Sequence, residues 1–481
     1  MTYNFTNIFF SVLLLAVPAS VYSQNVDVDL SQGSTLSIEQ AIEIAIANNN
    51  DIKRAWFSVE DADEQVRIAW SEVLPEVTTS ATYTRNVQLP VTFFPAEFFG
   101  GQQGDLVPVT FGTDNDWTGG VSVSQNLFRG EAIIGISSST LFKAAQQENL
   151  RATTQQVVTE TRKAYHRVLI AEEQQRLQQA SINRLEENLE DNRGRLRAGL
   201  VEEYDVLRLE VQLANQRPEL RETELAIDQS YRNLKIVTGI PLELNITISG
   251  ELGSFDIHSE QATDSSNESL KKIDRMNQLS LTKERDIIDL MSELRGDLRI
   301  LQKQDELKDR EITAIKSRFL PTISTTYNLR WTAAQEDPIE PFKDAVRFQT
   351  IGLNVSLPIF QGFKRSAEVN RAKIEKKDIN QQQMFTKRVA LNEYETSVEN
   401  LNRLFDTADA RKQAISQANR GYEIALKRFE NGMGSQLEVT EAELQVREAE
   451  LNYARLVFDY LNAKADYDQI IGLVPMVSTS N

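Results

Sequence analysis

The side chains able to do chemistry here are few in kind. There is no cysteine among 481 residues. That removes a thiolate nucleophile, a thiolate metal site, a disulfide framework and a lipid-modified N-terminal cysteine. Imidazole comes only from His166 and His258. His166, in "RKAYHRVL", lacks the E-x-x-H or H-E-x-x-H spacing of a metal site and reads as a helical surface histidine, while His258 lies in a polar stretch. No phosphate loop, nucleophile elbow or dinucleotide fingerprint is present, and the glycines of "GGQQG" follow no strand-to-helix pattern. What remains is carboxylate. Seventy acidic residues against 52 basic ones give a net charge of −18, which disfavours nucleic acid as a partner. Glu438 and Glu441 lie three apart and open a polar strip that continues through Gln445, Glu448, Asn452, Arg455 and Asp459. Spacing of three and four places the strip on one helical face.

The elements that must position this strip are long. Residues 37–72, 131–197, 201–238, 270–318, 363–431 and 435–471 are rich in Ala, Leu, Glu, Gln, Lys and Arg and nearly free of Gly and Pro, which predicts helices. Four stretches rich in Thr, Ser and Val, at 73–88, 117–128, 320–332 and 348–360, alternate with period two and predict strands. Residues 250–269 are polar and weakly patterned, and read as a linker between two halves, 24–249 and 270–481.

The halves repeat each other. "NNDIKRA" and Leu74-Pro75 recur as "RGDLRIL" and Leu320-Pro321, and "TGGVSVSQNLFRG" recurs as "TIGLNVSLPIFQG". Gly199, Asp205 and Val206 of "RLRAGLVEEYDV" recur as Gly432, Glu438 and Val439 of "RFENGMGSQLEV", and "TGIP" recurs as "IGLVP". Each half is therefore helix, strand, loop, strand, long helix, short break, helix.

Helix lengths set the arrangement. At about 1.5 Å per residue the segments 131–197 and 363–431 each run roughly 100 Å, and 37–72 plus 201–238 flank one of them end to end. In the last helix one apolar seam runs through Val439, Ala442, Val446, Ala449, Tyr453, Leu456, Tyr460, Ala463 and Tyr467. A second runs through Leu437, Leu444, Leu451, Ala454, Phe458, Leu461 and Ala465. Two seams with a polar strip between them suit the wall of a closed cylinder of helices.

The strands carry a different message. Ile323, Thr325, Tyr327, Leu329 and Trp331 share one face, with Ser324, Thr326, Asn328 and Arg330 on the other; Leu353, Val355, Leu357 and Ile359 oppose Asn354 and Ser356. An apolar outside, a polar inside and aromatic ends are what a transmembrane β-barrel requires. Four strands cannot close a barrel, since the smallest use about eight. At least two chains must contribute, and three would give about twelve strands. The first 23 residues, with an apolar run over 8–16 followed by Pro18 and small residues, read as a secretory signal. No later stretch is apolar enough for a spanning helix.

The duplicated order of "LP" at 74 and 320, the strand endings "LFRG" and "PIFQG" and the turns "RAGLVEEYDV" and "ENGMGSQLEV" resemble the TolC family of outer-membrane efflux proteins over essentially the whole mature chain. The resemblance implies a mostly α, internally duplicated chain with transmembrane β structure. Three copies would form a 12-stranded outer-membrane β-barrel continuous with a 12-helix periplasmic α-barrel of long coiled-coil helices. It implies a passive exit duct of a tripartite efflux or type I secretion system, with no enzyme activity and no cofactor. A periplasmic adaptor protein and an inner-membrane pump of RND, ABC or MFS type would dock at the far end, and outer-membrane lipid would surround the strands. The family's acidic constriction matches Asp205, Glu438 and Glu441, which in a trimer would stack as carboxylate rings that raise each other's pKa and draw cations into the pore. The bland alternative is solvated surface. The adaptor-docking motif matches Gly199, Leu200, Gly432 and Met433, for which plain turn geometry is the alternative reading. The family's tip arginine matches Gly434 and its tip tyrosine matches Phe429, so any closed-state lock rests on other residues, with Arg195, Arg197 and Arg428 at hand. Phe93, Phe94, Phe98 and Phe99 in the loop over 89–101 read as a packed loop or as a lid at the outer mouth. A soluble periplasmic coiled-coil scaffold without a pore is the rival reading, against which the alternating strands with Tyr327 and Trp331 argue.

Overall fold

The computed structural model describes residues 33–257, 284–335 and 344–474. The signal expected over 1–23, most of the linker expected over 250–269 and the start of the helix expected over 270–318 lie outside the described residues. In chain order come β1 (Ser34–Leu36), α1 (Ile38–Asn48), α2 (Asn50–Ser71), β2 (Glu76–Arg85), β3 (Val91–Pro95), β4 (Leu106–Thr110), β5 (Asn115–Phe128), α3 (Gly130–Arg197) and α4 (Glu203–Thr238). Then come β6 (Ile246–Ile248), α5 (Glu284–Leu294), α6 (Gly296–Ser317), β7 (Thr322–Gln335), β8 (Val346–Ser356), α7 (Lys364–Glu430) and α8 (Gln436–Ile471).

Three boundaries differ from what composition suggests. The segment 37–72 is not one helix. It starts at a capping box, in which Ser37 Oγ accepts from Gln40 N and Ser37 N donates to Gln40 Oε1. It then breaks at Asn49, where ψ is 134°. Asn49 Oδ1 accepts from Asp51 N (2.7 Å) and Ile52 N (3.2 Å), and its Nδ2 donates to Val237 O (2.7 Å). The side chain thus caps α2 and ties the break to the end of α4. The segment 270–318 breaks at the corresponding place, Arg295, with ψ 125°. There Arg295 Nη1 donates to Ile470 O near the end of α8, at 3.3 Å. The strand expected to reach 360 stops at Ser356, two residues before Pro358, which has no N–H to give a ladder. The structure adds two pairings that alternation did not signal: the hairpin β3–β4 and the parallel pair β1–β6.

β2, β5, β7 and β8 form one antiparallel sheet in the order β2-β5-β7-β8. Its register aligns side chains across all four strands: Val77, Val123, Tyr327 and Ile351 in one row, Thr79, Val121, Leu329 and Gln349 in the next of that face. The opposite face carries Thr78, Ser122, Asn328 and Thr350, with Ser122 Oγ donating to Asn328 Oδ1 at 2.8 Å. The apolar face is bare. Val77, Leu353 and Val355 are exposed, and Ile351 is 82% exposed.

The helices continue from this sheet as a slab about 100 Å long, the length of α3 or α7. Nearest the sheet, α3 packs against α2 and α6, and α6 also packs against α7; farther away α3 packs against α4 and α8, and α8 against α7. The change of neighbours happens at the two helix breaks. Gly239 and Gly472 end α4 and α8 with positive φ, and a Cβ on either would sit 2.7 Å from the backbone at Asn48 or Leu294. Gln155 on α3 binds the second break from the side, its Nε2 donating to Leu294 O (2.9 Å) and Gly472 O (3.2 Å) and its Oε1 accepting from Gly296 N (3.1 Å).

Candidate functional site

The two turns far from the sheet are built alike. In each, a left-handed glycine, Gly199 (φ 76°) or Gly432 (φ 71°), follows the long helix. Leu200 N donates to Arg195 O and Gly199 N to Leu196 O; Met433 N donates to Arg428 O and Gly432 N to Phe429 O. This is the Schellman pattern, which satisfies the last carbonyls of a helix. No atom lies within 4 Å of a Cβ placed on either glycine. The backbone angle, not a close approach, therefore calls for glycine. The residue after each glycine is apolar and turned outward: Leu200 is 72% exposed and Met433 66%.

Asp205 and Glu438 stand at the same place in each half, in the first turns of α4 and α8. Carboxylates there are favoured by the helix dipole. Ser435 caps α8 by accepting from Glu438 N at 3.3 Å. Glu438 also lies 3.4 Å from Arg428, both half-exposed. Glu441 is exposed one turn on. Asp205 is half-buried, and no hydrogen bond or ion pair joins it to either glutamate within the chain.

The arginines divide. Arg197 stays on its own helix, 3.7 Å from Glu190. Arg428 serves its own turn, donating to Met433 O at 3.2 Å. Arg195 crosses between the turns: held by Asp191 at 2.7 Å, it donates to Glu430 O at 3.4 Å, with its guanidinium 5.0 Å from the centre of the Phe429 ring. Phe429 is 7% exposed and packs with Ala425 and Val439. The Phe429 ring is thus a buried platform for a cation from the other turn. A Cβ on Gly434 would lie 3.2 Å from Arg428 Cβ and Phe429 N, so this turn folds closely onto its own helix.

Sequence patterning missed a third stripe of α8. Gln436, Thr440, Glu443, Arg447 and Glu450 keep the three-and-four spacing and face α3. Asn192 Nδ2 donates to Gln436 Oε1 (3.0 Å), Ser181 Oγ to Glu443 Oε1 (2.6 Å) and Arg447 Nη1 to Gln178 Oε1 (3.3 Å). Glu443 is 2% exposed, whereas its apolar neighbour Leu444 is 44% exposed. Burial pushes the Glu450 carboxyl up; Arg184 and Arg176 oppose this, and Glu443 and Glu173 add to it. The only sequence signal for this stripe was its spacing, because charge normally marks an exposed face.

The histidine reading is corrected. His166 is buried, its Nδ1 3.2 Å from Asn462 Oδ1, and burial holds its pKa down to about 4. Among the described residues no three metal-binding side chains cluster, and no helix is long and apolar enough to cross a membrane. In the loop between β2 and β5 Phe94 packs on Phe111 (ring centres 5.4 Å apart), while Phe93, Phe98 and Phe99 are exposed.

Comparison with known proteins agrees with this architecture. No curated protein matches the sequence. Among solved structures, the Campylobacter jejuni CmeC outer membrane channel matches with TM-score 0.67 and 19% identity, covering 90% of this chain and 85% of that one. The Vibrio cholerae outer membrane protein VceC matches with TM-score 0.68 and 16% identity over 90% and 96% of the two chains. The open state of the Neisseria gonorrhoeae MtrE outer membrane channel gives TM-score 0.68 and 16% identity over 90% and 88%. At these identities the likeness shows the fold. The family model described as outer membrane efflux protein matches residues 41–239 and 287–473, one block in each half of the duplication. The chain belongs to the outer membrane efflux protein family, the TolC family, whose members are channels rather than enzymes.

Proposed function

We propose that three copies of this chain form an outer-membrane exit duct: a 12-stranded barrel in lipid, continuous with a 12-helix tube in the periplasm. One observation carries the reading. The sheet β2-β5-β7-β8 has a bare apolar face, a polar opposite face and two edge strands, β2 and β8, whose outer edges have no partner among the described residues. Exposed apolar surface of this size calls for a non-aqueous neighbour, and unpaired strand edges call for more strands. The exposed Leu74, Phe319, Leu320, Leu357, Phe360 and Phe363, where sheet gives way to helix, suit the membrane–water boundary on the periplasmic side.

The duct is passive and gated at its periplasmic tip. Asp205, Glu438 and Glu441 form the constriction, and the exposed Leu200 and Met433 beside Gly199 and Gly432 present the docking surface for a periplasmic adaptor. The adaptor couples the duct to an inner-membrane pump of RND, ABC or MFS type. The detergent-solubilised protein in a planar bilayer tests the gate: Glu438→Gln with Glu441→Gln lowers cation preference about threefold or more. Unchanged selectivity removes the constriction from these residues. Leu200→Asp with Met433→Asp abolishes co-purification with the adaptor; retained binding places docking elsewhere.

A further inference from the structure

The polar face of the sheet carries little charge. Its rows run from Glu76 and Ser124 near the helices to Thr84 and Asp116 at the far end. Between those two rows the strands present mainly threonine, serine and asparagine, and Arg330 is the only charged side chain on that face. The rows of Glu76 and Asp116 each lie four residues from that of Arg330, about 14 Å along a strand. Asp116 is also occupied, accepting from Asn86 Nδ2 and Thr113 Oγ1, both at 2.8 Å. Arg330 itself is exposed and pairs with no carboxylate among the described residues; its guanidinium lies 5.5 Å from the centre of the Phe348 ring on β8.

The row around it is open on one side. Across β2, β5, β7 and β8 it reads Ser80, Gly120, Arg330 and Phe348. A Cβ on Gly120 would sit 2.6 Å from Leu329 O, so the place beside Arg330 is bare backbone. Ser80, on the far side of that gap, is exposed, and Phe348 is 43% exposed. The guanidinium thus has an apolar ring on one flank and an empty, backbone-floored bay on the other. A planar cation with five donors takes carboxylate or phosphate oxygens two at a time. An adjoining exposed ring takes the apolar body of the same molecule.

We propose that Arg330, one per chain and three around the duct, is an anion station inside the barrel, which takes an organic anion with its carboxylate or phosphate on the guanidinium and its apolar part on Phe348. The tip carboxylates draw cations; Arg330 does the reverse at the opposite end. An anionic solute leaving the helical tube of a chain with net charge −18 therefore meets favourable charge before the outer mouth. Exposed to water, the station holds its ligand loosely, as a conduit requires. The proposal rests on the duct reading, in which the polar face lines the lumen, and wild-type conductance tests that reading separately.

The test uses the absence of native cysteine. Ser80→Cys places the sole thiol in the Arg330 row, and its reaction with a sulfonate-bearing and with an ammonium-bearing methanethiosulfonate is timed in the detergent-solubilised protein. Adding Arg330→Gln lowers the ratio of sulfonate to ammonium rates about threefold or more at low ionic strength, and changes it little in about 1 M salt. Arg330→Lys, which keeps the charge, leaves the ratio near that of the parent variant. The probe for binding is 2-naphthoate. It slows the reaction of the parent thiol with an uncharged maleimide; Arg330→Gln abolishes this protection and Phe348→Ser weakens it. A rate ratio that Arg330→Gln leaves unchanged overturns the station. A changed ratio with no protection by 2-naphthoate overturns the binding of an organic anion, and full protection in Phe348→Ser removes the ring from the site. A wild-type protein that does not conduct, with rates and protection as stated, overturns the duct reading and leaves the anion site on the sheet standing.

Discussion

At the scale of single residues, what could be read in advance was what backbone chemistry dictates. Gly199 and Gly432 stood out because an L side chain resists positive φ, and both angles are positive. Arg195 against Phe429 and the buried Glu443 could not be read, because each depends on which helix lies opposite, and spacing along one helix carries no such information. His166 shows the same blindness: its polar neighbours in sequence suggested surface, yet from α3 it faces Asn462 of α8 and is buried. Its burial predicts an acid sensitivity. The unfolded imidazole takes a proton as pH falls through about 6.5, while the folded one refuses it until about 4. Stability from the neutral ring is therefore whole above 6.5, falls between 6.5 and 4, and amounts to a loss of about 2 kcal/mol by pH 5. His166→Gln, which can still meet Asn462, should show a smaller drop in thermal midpoint from pH 7.5 to 5. An equal drop in both proteins would mean that other groups govern acid sensitivity.

At the scale of elements, the long helices and the four sheet strands were legible from composition and period, and the repeat made each half a check on the other. The breaks at Asn49 and Arg295 were not, since no proline marks either and the lone Gly296 beside Arg295 is tolerated inside a helical pattern; they arise where a helix end from the same half packs against them. Val237 and Ile470 accept from the two break residues at equivalent places, so the duplication preserved a joint, not only a pattern. The joint makes Gly472 intolerant of a side chain. Its φ is 88°, and a Cβ would meet Leu294 C at 2.7 Å and Arg295 N at 2.8 Å. Gly472→Ala should cost about 2 kcal/mol or more, from left-handed strain plus displaced backbone. Gly434→Ala, where the turn lies at the tip and a Cβ would be 3.2 Å from its nearest neighbours, serves as comparison and should cost less. Thermal midpoints of the two variants decide; equal costs would show that the joint yields as readily as the tip.

At the scale of the whole molecule, the four-stranded sheet has two open outer edges among the described residues, and its register gives the proposed barrel a geometry. The second strand of the first half, β5, pairs with the first strand of the second half, β7, placing Val121 opposite Leu329. The equivalent residues in the other halves are Leu353 on β8 and Tyr83 on β2, because Val77 faces Val123 as Ile323 faces Val355. If the repeat continues across subunits, Leu353 of one chain lies opposite Tyr83 of the next. Within a single chain these residues sit on opposite edges of a four-stranded sheet, about 14 Å apart across the strands and about 27 Å apart along them, too far for a disulfide. Oxidising a Tyr83→Cys, Leu353→Cys double variant in detergent, in a chain with no other cysteine, is the most direct measurement. The account predicts covalent dimers and trimers on a denaturing gel that collapse to monomer on reduction, with no trimer from either single variant. A protein that remains monomeric on the gel, although both thiols are free to react, would contradict it.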